Sequence, residues 1–167
     1  MRSLPISLKG LICLRTKQVH LADLYAVMRE KLEAGGTAYF NPRGTSMLPM
    51  LHNDGDKVKL KKADKPLKKY DLPLYIRDDG AFVLHRVVRR PSPDGTYTMC
   101  GDNQWRLERG IRHDQLVGVV VAFKRNGREY STDSRLYKLY CRIWVAAMPL
   151  RHLLFGGINK IKRILKG

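Results

Sequence analysis

The chain has 167 residues, 44% hydrophobic and 28% charged, which suits one folded domain with a core and excludes a wholly disordered polymer. Thirty-two Lys and Arg stand against fifteen Asp and Glu, a formal charge of +17, so the surface attracts polyanions, either nucleic acid or the anionic face of a membrane. Cys13, Cys100 and Cys141 are odd in number and far apart, with no Cys-x-x-Cys pair and no His at ligand spacing, which argues against a disulfide framework or zinc site and for a reducing compartment.

No cleavable leader is expected, because Lys9 interrupts the apolar residues of "MRSLPISLKGLICLRTK" and no small-residue cleavage site follows. Between His20 and Ala34, Leu21, Leu24, Tyr25, Met28 and Leu32 recur at helical spacing among charged residues, and Gly35-Gly36 stops the helix. From Thr37 onward short runs are separated by Gly, Pro, Asn and Asp: "TAYF", "KVKLKK", "LPLYIR", "AFVLHRVV", "TYTMC" and "LVGVVVAFKR". Such spacing predicts a mainly β domain. Asp79-Gly80, Pro93-Asp94-Gly95 and Asn126-Gly127 are turn sequences.

After Asp133 the pattern is helical again, with Leu136, Tyr137, Tyr140, Ile143, Trp144 and Ala147 as the expected apolar stripe before Pro149. The apolar run from Ile143 to Leu150 ends at Arg151, far short of the ~20 residues that cross a bilayer, so no spanning helix is expected. The final "GGINKIKRILKG" sets Ile158, Ile161, Ile164 and Leu165 among Lys160, Lys162, Arg163 and Lys166. Two readings fit it equally: a helix in the headgroup layer of an anionic membrane, or a helix packed on the domain with its lysines in water. The boundaries expected are a segment with one amphipathic helix over 1–36, a β domain over 37–132 and a basic helical tail over 133–167.

Chemistry can be sought at a few positions. In "GTSMLPM", Gly44 and Pro49 restrict the backbone around Thr45, Ser46 and Met47, which suits a nucleophile that must present its hydroxyl in one direction; a turn or helix cap explains the same residues. A serine hydroxyl requires a base. His20, His52, His113 and His152 fall in polar or terminal positions and read as solvated residues. His85 lies in the apolar run "AFVLHRVV", where an imidazole requires a partner, and alternation sets it on one face with Val83 and Val87. By itself it reads as a buried histidine bonded to a carbonyl. "CGDNQWRLERGI" supplies Asp102 and Glu108, either of which can orient an imidazole, although Asp102 also suits an Asx turn and Glu108 a surface pair with Arg106 or Arg109. In "KVKLKKADKPLKK" seven of thirteen residues are Lys, with no aromatic for base stacking, which favours lipid headgroups, an acidic peptide or simple solubility over nucleic acid.

In order, "GTSMLPML", "NDGDKV", "YDLPLYIRDDGAFVLHRVV" and "YTMCGDNQ...ERG", from about Thr37 to Phe123, resemble the core of the signal peptidase and repressor-cleavage superfamily, the S24/S26 serine peptidases. The resemblance implies Ser46 as nucleophile and His85, in the His-Arg form of the motif, as base, hence the Ser-His branch of signal peptidase I-like enzymes. It implies Glu108, where the branch has Asp, or Asp102 as the acidic third member. Met47 and Pro49 are expected to position the serine. A serine that helps bind the oxyanion in signal peptidases is replaced by Gly44, leaving the Ser46 N–H and the Thr45 hydroxyl.

From the resemblance follow a mainly β fold of coiled antiparallel sheets with an N-terminal helix and a C-terminal helical tail, and a serine endopeptidase that cuts a peptide or protein precursor after small residues. No metal or organic cofactor is implied. In place of the family's N-terminal membrane anchor stands the amphipathic helix, so a cytoplasmic location, with peripheral attachment to an anionic membrane through the tail, is expected. Two other readings compete. A catalytically inactive membrane-surface or scaffold protein would hold Ser46 and His85 apart, and a self-cleaving regulator would need a DNA-binding domain that the first 35 residues, with one helix, do not supply.

Overall fold

The computed structural model describes residues 21–52 and 55–150. The leader reading, His20, His152, Cys13 and the basic segment after Leu150 lie outside the described residues.

Helix α1 (Leu21–Glu33) forms where the periodicity predicts it, and Met28 and Leu32 are its buried contribution to the main core. It ends because Gly35 adopts φ +77°: the Gly36 N–H then reaches back to the Lys31 carbonyl and the Gly35 N–H to that of Leu32, each at 3.0 Å. A residue with a Cβ would be strained at that left-handed position.

The remainder is mainly antiparallel β. A six-stranded sheet contains β1 (Ala38–Phe40), β2 (Lys57–Lys61), β3 (Pro73–Ile76), β4 (Phe82–Leu84), β8 (Leu116–Arg125) and β9 (Arg128–Ser131). A three-stranded sheet contains β5 (Arg86–Val87), β6 (Tyr97–Cys100) and β7 (Glu108–Ile111). Strand β8, ten residues long, is the spine, since β2, β3 and β9 all pair with it. The alternation of "KVKLK" follows: Val58 and Leu60 are fully buried, while Lys57 and Lys61 face water. All three turn sequences reverse the chain, with Asn126 and Gly127 both at positive φ between β8 and β9.

Helix α2 (Arg135–Ala146) starts at Ser134, whose hydroxyl accepts from the Tyr137 N–H. Its buried face corrects the expected stripe. Tyr137, Cys141 and Val145 point inward, with Tyr140 partly buried, whereas Leu136 and Ile143 are exposed. The expected set spanned too wide an arc, and the buried arginine described below draws the tyrosine and cysteine face to the sheet. Among the described residues no helix is long and apolar enough to cross a membrane.

Candidate active site

The run "AFVLHRVV" is not one strand. It breaks at His85, where the chain leaves β4 in the large sheet and enters β5 in the small one. Alternation still sorts the side chains: Leu84 faces the main core, and Val83 and Val87 face a second core built around Tyr75, Tyr97 and Met99. His85, 2% exposed, sits at the junction of the two sheets.

What satisfies the buried imidazole is a cluster of side chains from β3, the residue after it, and β7. Nδ1 of His85 lies 3.3 Å from Glu108 Oε1 and 3.3 Å from the Tyr75 hydroxyl. The Tyr75 hydroxyl donates to Glu108 Oε2 at 2.7 Å, and Arg77 Nε donates to the same oxygen at 2.9 Å while its terminal nitrogen bonds Oε1. Because Tyr75 uses its proton on the carboxylate, both neighbours of Nδ1 present lone pairs, so Nδ1 carries the hydrogen and Nε2 is the basic nitrogen. The carbonyl partner of the bland histidine reading is replaced by a carboxylate.

Burial drives the His85 pKa down to about 4, against the pull of Glu108, which raises it, and with the help of Arg77, which lowers it. Burial works to raise Glu108, but the hydrogen bonds from Arg77 and Tyr75 outweigh it and hold the carboxyl below its ordinary value. At neutral pH the pair is therefore a neutral imidazole beside a carboxylate, the state a general base needs.

The basic nitrogen lies near the Ser46 loop. A Cβ at Gly101 would lie 2.6 Å from the Ser46 carbonyl oxygen and 3.1 Å from His85 Nε2, so these two atoms flank one glycine and are no further apart than the sum of those distances. Asn103 ties the loop down from the same side: its N–H donates to the Ser46 carbonyl at 2.7 Å and its side-chain amide to the Thr45 carbonyl at 3.1 Å. Met47 is buried in the main core, Pro49 is exposed with its carbonyl bound by Arg125 at 2.9 Å, and Ser46 itself is half-buried. Among the described residues no hydrogen bond joins the Ser46 hydroxyl to His85. Such contacts are often long before substrate binds.

Gly101→Ala is expected to force the Ser46 loop outward, because the colliding atom is backbone and cannot rotate away. The cost is about 1–3 kcal/mol of stability. Hydrogen exchange checks it: the Asn103 amide, now bonded to Ser46, should lose protection, and unchanged exchange would mean the glycine is replaceable.

Asp102, the other acidic candidate, is the counterion of the buried Arg86. Its carboxylate takes Arg86 Nε at 2.8 Å and the terminal nitrogen at 2.7 Å, and the Tyr140 hydroxyl at 3.0 Å. Its charge raises the His85 pKa. Arg86 is fully buried and also donates to the Tyr137 hydroxyl at 2.9 Å and the Tyr70 carbonyl at 3.2 Å. The two carboxylates thus divide: Glu108, at the start of β7, meets the imidazole, and Asp102, in the turn after β6, braces that turn against α2, aided by Trp144, which donates to the Asp102 carbonyl at 2.9 Å.

Tyr75, Arg77, Gly101 and Asn103 are the residues that the sequence reading did not single out. Alternation along "LYIR" carries a signal for two of them, since Tyr75 and Arg77 share one strand face and Tyr75 pairs with Val83, two residues before His85. Beside the cluster an open cavity of about 620 Å³ is lined by Arg77, Asn103, Trp105 and Glu108 among others. Compared with family models, curated proteins and solved structures, the chain matches none of them, so any functional reading of this site rests on its own geometry.

Proposed function

We propose that this chain is a serine endopeptidase of signal-peptidase type, with that family's fold, acting on a peptide or protein precursor. The observation that carries the reading is the orientation of His85: its Nδ1 is held by Glu108 and Tyr75, and its basic Nε2 is turned to the glycine that separates it from Ser46. In the reaction the Ser46 hydroxyl attacks the scissile carbonyl and its proton passes to Nε2. The tetrahedral oxyanion takes the Ser46 N–H and the Thr45 hydroxyl, and the imidazolium is stabilised by Glu108. The carbon–nitrogen bond then breaks, the leaving amine receives the proton from His85, and water releases the acyl group by the same steps in reverse.

The substrate has a natural seat. Strand β1 ends the large sheet, pairs on one side with β2, and leads directly into the Ser46 loop, so an extended peptide can add to its other edge with the scissile bond running toward Ser46. A second reading, an inactive scaffold that retains the fold, is favoured by one observation, the lack of a hydrogen bond between Ser46 and His85.

One experiment separates the two. A fluorophosphonate reagent should form an adduct that mass spectrometry maps to Ser46, at a rate that rises with pH and is half-maximal at the His85 pKa, about 4. In Glu108→Gln the rate should fall by roughly a hundredfold or more. Its half-maximum should also move to lower pH, because the carboxylate that raises the His85 pKa is gone. No adduct on Ser46 at any pH ends the enzyme reading.

A further inference from the structure

Helix α2 turns an apolar ridge to the outside. Leu136 is 81% exposed, Leu139 51% and Ile143 59%, and Leu150, just past the helix, is 61% exposed. Single exposed aliphatics are ordinary, but four at helical spacing, opposite the buried face of Tyr137, Cys141 and Val145, form one continuous strip. At ~100° per residue, Arg135, Lys138 and Arg142 run between the buried face and the ridge.

Lys138 and Arg142 also line a hollow of about 560 Å³ together with the end of β2 and the segment after it, which carry Lys61, Lys62, Lys65, Lys68 and Lys69. The carboxylates there, Asp64, Asp71 and Asp133, are outnumbered. Between Leu136 and Ile143 the ridge is therefore flanked on one side by a cationic basin.

We infer that the α2 ridge and this basin are a docking face for an anionic phospholipid bilayer. The aliphatic edge enters the boundary of the acyl chains, and the flanking cations sit at phosphate level, the arrangement an interfacial helix requires. The other occupants fit worse. A second copy brings the same lysines and the same charge of +17 to the contact, so two chains repel across this face. A nucleic acid would use the cations and leave the leucines in water.

The face is coupled to the candidate site, because Tyr140 and Trp144 on the inner side of α2 hold Asp102 and hence the loop of Gly101 and Asn103. A docked helix would hold Ser46 and His85 at a set orientation above the lipid. The inference does not depend on the peptidase reading, and its test measures no hydrolysis.

The full-length chain is sedimented with vesicles of phosphatidylcholine alone or with about a quarter phosphatidylglycerol. It should pellet only with the anionic vesicles, and raising salt from about 0.1 M to about 0.5 M should release it. Leu139→Glu with Ile143→Glu should weaken binding at least about tenfold. Lys65→Glu with Lys68→Glu and Lys69→Glu should weaken it by roughly a hundredfold. All five positions are solvent-accessible, so thermal melts should match the parent. Equal binding to neutral vesicles would overturn the inference, as would parent-like binding by the Leu139 and Ile143 variant, which would assign attachment to the chain after Leu150. A dimer that this variant dissociates, without vesicle binding by the parent, would give the ridge to a second copy instead.

Discussion

Ser46→Ala and His85→Ala should each lower peptide hydrolysis by roughly 10⁴- to 10⁶-fold, and the double variant should be no slower than either one alone. In the proposed reaction the hydroxyl supplies the electron pair and the imidazole removes its proton, so losing either would remove the same step rather than two separable contributions. Ser46 is half-buried, so its truncation should change stability by no more than about 0.5 kcal/mol. His85 is buried between the two sheets and leaves a cavity. It also removes a group that opposes acid stability. Its folded pKa of about 4 lies below the ordinary value of 6.5, so neutral His85 supports the fold at high pH, and that support is lost as pH falls from 6.5 toward 4. The parent should therefore lose on the order of 3 kcal/mol over that window through this residue, and His85→Ala should flatten the loss. Turnover retained in Ser46→Ala would dispose of the proposed chemistry.

The mainly β class, both helices and all three turns were legible because they rest on local rules. Periods of 3.6 and 2 and the positions of Gly, Asn and Asp-Gly require no knowledge of distant residues. Val58 and Leu60 between lysines are one instance, and Gly35 ending α1 is another. What was not legible depended on contacts between elements. "AFVLHRVV" reads as one strand, since nothing in its eight residues marks where the chain changes sheets, yet it breaks at His85, whose Nδ1 meets Tyr75 and whose Nε2 lies by Gly101. The face of α2 was misjudged for a related reason. Hydrophobicity alone favours burying Leu136 and Ile143, but Arg86 in the interior needs acceptors, and Tyr137 supplies one. At the site, alternation could relate His85 to Val83 and Val87, but only tertiary pairing decides that the carboxylate beside it comes from β7 rather than from the Gly-Asp-Asn turn.

That division of labour between the two acids leads to the largest stability effect expected. Asp102→Asn should destabilise the chain by about 3–5 kcal/mol, and Arg86→Met by a similar amount, measured as the shift in a urea unfolding midpoint. Each leaves the partner charge buried without its counterion: Arg86 is 0% exposed and Asp102 2%, so water cannot replace what is lost. Against a typical domain stability of about 5–15 kcal/mol, this is a large share of the whole. Replacing both together by apolar residues should recover much of the loss, because it is the orphaned charge and not the missing pair that costs free energy. Glu108→Gln gives the contrast. Glu108 is 22% exposed and its neighbour Arg77 reaches solvent, so its loss should move the unfolding midpoint far less while slowing reaction at Ser46 far more. If Asp102→Asn instead slowed the reaction and left the midpoint unchanged, the two acids would have to exchange roles, and the carboxylate beside His85 would be a bystander.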